Sequence, residues 1–76
     1  MKIKSVVEDF RWVMKVLSTV ETKSQLDTTL NCYKMWINKH LNVPLNEDEN
    51  RLAKTMKSEF WAKFKNKNSK IEFSTL

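Results

Sequence analysis

The chain contains no glycine, where ordinary usage of about 7% would give roughly five in 76 residues. Tight β-hairpins and glycine-rich phosphate loops both need backbone at positive φ, which residues with a Cβ adopt reluctantly. Pro44 is the sole proline, so few positions interrupt a helix. Both facts lead to the expectation of an all-α chain, and hydrophobic periodicity divides it into three helices.

The first apolar stripe is Val6, Phe10, Val13, Leu17 and Val20, spaced four, three, four and three. Ser5 and Glu8 have the spacing of a capping box, and Lys2 and Lys4 disfavour an earlier start because they oppose the helix dipole. The predicted helix therefore spans about 5–20. The second stripe is Leu26, Leu30, Tyr33, Ile37 and Leu41, with Thr22/Gln25 or Ser24/Asp27 as alternative caps, and predicts a helix over about 24–41. The short connection between these two helices favours an antiparallel hairpin. Asn42-Val43-Pro44-Leu45 breaks the pattern, because a proline biases the residue before it away from helix. Asn46 with Glu49 then caps a third helix over about 47–65, whose first turn carries Glu47, Asp48 and Glu49 and whose stripe is Leu52, Ala53, Met56, Phe60 and Phe64. Beyond it, Lys67-Asn68-Ser69-Lys70 reads as a solvated turn, and the alternation in 71–76 reads as a short tail that packs over the bundle or pairs with another molecule.

The expected architecture is a small three-helix bundle forming a single domain, 1–76. Its rival is an open hairpin plus one helix whose core closes only in a dimer. A core of this size supplies only about 3–5 kcal/mol unaided, so a partner would matter. Cys32 is the only cysteine and His40 the only histidine, which leaves no intramolecular disulfide and no Cys/His metal set. Apolar runs reach only three residues, and the opening MKIKSVVEDF has no apolar signal region. The chain is expected to be cytoplasmic, with no membrane partner and no cofactor.

Three tryptophans, Trp12, Trp36 and Trp61, lie off the stripe of their helices. On a helical wheel Trp12 points well over 90° from the stripe centre near Leu17, with Val16 one turn beyond it, and Met35 lies almost opposite the second stripe. Trp36 and Trp61 deviate less and fit core packing more readily. Together with Cys32, these side chains make more off-stripe apolar surface than a small monomer readily hides. Trp12, Val16, Met35, Trp36 and Trp61 are therefore the candidate protein interface, since tryptophan is favoured at interface anchors.

A second surface is suggested by charge. The chain carries a net +5, concentrated at Arg51, Lys54, Lys57, Lys63, Lys65, Lys67 and Lys70, with Phe60, Trp61 and Phe64 interleaved. Lysines with aromatics suit nonspecific phosphate and base contact, whereas base-edge readout leans on arginine, of which there are only Arg11 and Arg51. An amphipathic third helix on an anionic membrane ranks below both readings, because its acidic start opposes it. Enzyme chemistry has least support: His40 has no carboxylate partner legible in the sequence, and Cys32 has no adjacent base beyond Lys34. The expected function is a small non-enzymatic helical interaction module that binds another protein or itself. The lysine and asparagine usage, which A/T-rich codons favour, adds the expectation of a phage or mobile-element accessory factor acting on a host protein. The alternative is a nonspecific nucleic-acid-binding module.

Overall fold

The computed structural model describes residues 2–74, with side chains through residue 72. It is an all-α three-helix bundle made of α1 (Ile3–Ser18), α2 (Lys23–Trp36) and α3 (Glu47–Ser74), with α2 continuing into a π-helical turn, Ile37–Leu41. The molecule measures 45 × 17 × 16 Å, and its long dimension is that of α3, whose 28 residues span about 42 Å.

All five residues of the first predicted stripe are buried. The helix nevertheless starts earlier than expected: Lys2 is the N-cap residue, its carbonyl accepts from the Val6 amide at 3.0 Å, and no side chain caps it. Ser5 thus lies inside the first turn, so the Ser5/Glu8 box does not form. The extra turn gains backbone hydrogen bonds at the expense of an unfavourable dipole contact with Lys2 and Lys4. At the other end α1 stops at Ser18, and the Ser18 and Thr19 hydroxyls bond back to the Lys15 and Val16 carbonyls.

Between the two possible caps of α2 the structure uses Thr22. Its hydroxyl accepts from the Gln25 amide, and the Gln25 side chain returns to the Thr22 and Glu21 amides. Asn46 and Glu49 form the matching reciprocal pair at the start of α3, with hydrogen bonds of 2.8 and 3.0 Å. The bond donated by the Asn46 backbone amide to the Glu49 carboxylate holds that carboxyl below its ordinary value.

The largest departure lies past Lys65. Residues 66–74 continue α3, so neither the solvated turn nor the extended tail exists over the described residues, while Thr75 and Leu76 fall outside them. The reason is a stripe that continues in register. Phe60, Phe64, Lys67 and Ile71 follow at helical spacing, Ile71 is buried in the core, and the Lys67 ammonium donates to the Ser18 (2.9 Å) and Val20 (3.3 Å) carbonyls. A cation there complements the negative end of α1.

The core closes within one chain. Phe10 packs on Trp36 (centroids 5.0 Å apart), Trp36 approaches Tyr33 (6.0 Å), and Tyr33 stacks on Phe60 (3.9 Å, planes 1° apart), which joins all three helices through aromatic rings. Thr29 is fully buried, with its hydroxyl bonded to the Gln25 carbonyl. Burial pushes the Tyr33 phenol above its ordinary value of 10.0, opposed by a hydrogen bond with Trp61.

Candidate functional site

Antiparallel packing sets α1 against α2 so that Val6 meets Trp36 and Asp9 meets His40. α3 covers one side of this hairpin. Val7, Phe10 and Met14 face Leu52 and Met56 from α1, while Tyr33 meets Phe60 and Trp61 from α2. The other side of the hairpin stays open, and there the two helices form a groove of about 290 Å³.

Trp12 and Met35 form its walls, 58% and 69% exposed, with Cys32 half-buried between the helices and Trp36 at the floor. A second hollow of about 220 Å³, lined by Val16, Thr19, Gln25 and Thr28 among others, lies farther along the same seam. The two hollows are related by single helical turns: Trp12 to Val16 on α1, and Thr28 to Cys32 on α2. The charged side chains lining this seam are Asp9 and Lys39, which pair at 3.2 Å.

The structure divides the five interface candidates. Trp12, Val16 and Met35 share the groove face. Trp36 does not belong to the exposed surface: it is 3% exposed, and its indole nitrogen donates to the Val6 carbonyl at 3.0 Å, which satisfies the one polar group a buried indole carries. Trp61 lies on α3, away from the groove, 43% exposed and held edge-on by Tyr33 (5.5 Å), Phe60 (5.4 Å) and Phe64 (5.3 Å).

The rim holds a contact that sequence reasoning missed. Asp9 Oδ2 accepts from His40 Nε2 (2.6 Å) and from Lys39 Nζ (3.2 Å), and the His40 side chain is only 9% exposed. The hydrogen bond with His40, and then that with Lys39, hold the Asp9 carboxyl below its ordinary 3.8. His40 therefore does have a carboxylate partner, one that lies 31 residues away and becomes apparent only once the hairpin register is known. The contact ties the π-helical turn to α1, beside the buried Trp36.

The six basic candidates do not share one face. Lys67 is bonded to the end of α1, Arg51 lies 3.8 Å from Glu47 one turn away, and Lys63 borders the depression between α1 and α3 together with Glu59. Lys54, Lys57 and Lys65 form no hydrogen bond or ion pair among the described residues. Also among the described residues, no group of three or more His, Cys, Asp or Glu side chains is placed to hold a metal ion, and no helix is long and apolar enough to cross a membrane. Comparison with known proteins adds no relative: no family model, no curated protein and no solved structure matches this chain.

Proposed function

We propose that the protein is a non-enzymatic helical interaction module whose docking face is the groove between α1 and α2, and that the occupant this face fits is a second copy of the chain. The observation that carries the reading is the pairing of a projecting indole, Trp12, with an adjacent apolar cavity on one uncovered face. In a two-fold interface each copy presents the same patch, so a knob beside a hole is self-complementary. Charge supports the same occupant. Two molecules of net charge +5 repel, and they approach most easily through a face whose charges balance, Asp9 against Lys39 in the groove and Glu8 against Lys15 beside Trp12. Trp12, Met35 and the half-buried Cys32 supply an apolar centre, and Asp9 with Lys39 supplies a polar rim. A host protein bound by an accessory factor of this kind would occupy the same face and compete with self-association.

Light scattering behind gel filtration, over a range of protein concentrations, tests this reading. The expected result is a dimer that added salt does not dissociate, since salt screens the repulsion between the two copies, and which Trp12→Ala or Met35→Glu converts to a monomer with unchanged helicity. A wild-type protein that remains a monomer at the highest concentration overturns the second-copy reading.

A further inference from the structure

α3 carries a second surface of different chemistry. Lys54, Lys57, Trp61 and Lys65 follow at spacings of three, four and four, which places them along one face of the helix over about 16 Å. Glu59 is the single carboxylate in residues 50–69, and it sits on the α1 side beside Lys63. The stripe is therefore basic and free of acid from Asn50 to Asn68, with Glu47 one turn before it, in the hollow that Lys54 and Lys57 also line. Its lysines have no intramolecular acceptor among the described residues, whereas Lys39 and Lys67 are engaged elsewhere. In their midst the Trp61 ring is partly exposed yet fixed by contacts on Tyr33, Phe60 and Phe64.

We infer that this stripe binds single-stranded nucleic acid without sequence preference, with a base stacked on Trp61 and phosphates running along Lys54, Lys57 and Lys65. A fixed, exposed ring spends little conformational entropy on stacking, and every base offers a π-face to it. The lysines act as point charges that neutralise phosphate and displace counterions. Arg51 stands at the end of the stripe beside Glu47, so no bidentate base-edge contact is built into its centre. In a duplex the bases are already stacked on each other and unavailable to Trp61, so the single strand is preferred. Neither the groove nor its occupant takes part.

Fluorescence anisotropy with a labelled short oligothymidylate, and with a duplex of the same length, tests the inference across a salt series. Binding should weaken as salt rises with a log–log slope of about −2, from three phosphates at about −0.7 each, and Lys57→Gln should reduce that slope by about 0.7. Trp61→Ala should weaken binding roughly five- to hundredfold, the loss of one stacked base. Because Trp61 also covers Tyr33, Trp61→Phe serves as the folded control and should retain most of the affinity. Lys63→Gln, on the opposite side of α3, and Trp12→Ala, in the groove, should leave binding unchanged. Salt-independent binding, a duplex bound as tightly as the single strand, or an equal loss in Lys63→Gln overturns the inference. So does binding to phosphatidylserine vesicles in place of the oligonucleotide.

Discussion

The outer face of the α1–α2 hairpin and the outer face of α3 each present a partly exposed tryptophan, at 58% and 43% exposure, and they differ in everything around it. Beside Trp12 lies an apolar groove whose lining charges, Asp9 and Lys39, pair with each other, and the flanking Glu8 and Lys15 are of opposite sign. Around Trp61 the surface is cationic and unpaired, so what it attracts is an anion. On the reading proposed above, an exposed indole does not by itself indicate the class of partner; the net charge of the side chains that share its face does. It also shows how a chain of 76 residues can keep two surfaces apart, by spending each face of the hairpin once, one on α3 and one on the groove.

The largest effect that tests this division is expected at Trp36, the tryptophan buried beneath the groove. In protein dilute enough to be monomeric, Trp36→Ala should destabilise the fold by about 3–5 kcal/mol, through the cavity and the lost bond to the Val6 carbonyl, while Trp12→Ala should stay within about 0.5 kcal/mol. Urea denaturation of the two variants measures the difference, and similar midpoints would mean that Trp12 is part of the core. Next in size is Ile71→Ala, expected to cost about 2–5 kcal/mol as a buried aliphatic truncation, where a solvated tail would register no change.

Smaller again is the separation of two neighbouring lysines. Lys67→Gln should lose about 0.3–1 kcal/mol of stability, most visibly at low salt, and leave oligonucleotide affinity intact. Lys65→Gln should do the reverse. If both variants change affinity alike, the stripe is not distinct from the rest of the helix.

The smallest effect concerns the rim of the groove. Asp9 has a folded-state pKa below its ordinary value, so the stability it contributes is fully present above the usual carboxylate range and is lost as pH falls through the folded value. Asp9→Asn should therefore narrow the difference in urea midpoint between neutral pH and about pH 2, relative to wild type. An unchanged difference would show that the contact with His40 and Lys39 does not contribute to folding.

Much of this fold was legible because apolar spacing and caps are local. The five stripe residues of α1, the Thr22/Gln25 option and the Asn46/Glu49 pair all follow from residues within a turn or two of one another. The misreadings come from interactions across helices. Trp12 and Trp36 both lie off stripe on a wheel, Trp36 by less, and that difference in angle matches their burial, but a wheel names no neighbour and so gives no sign of the Val6 carbonyl that holds the Trp36 indole. The end of α3 was hidden because the stripe position between Phe64 and Ile71 is held by Lys67. A lysine in an apolar register breaks the pattern to the eye, although its side chain is half-buried and its ammonium reaches the end of α1. The Asp9–His40 contact was unreadable for the same reason, since the two residues meet only through the register of the hairpin.

The position of Cys32 gives the groove a clock. It is the molecule's single thiol, half-buried between Trp12 and Met35, so a maleimide or disulfide reagent reports on one place only. Its modification rate scales with access to the thiolate. Anything seated on the hairpin slows that rate, and anything gathered along α3 leaves it alone. A stopwatch and one colourimetric reagent therefore tell which of the two surfaces is occupied, without knowledge of what occupies it.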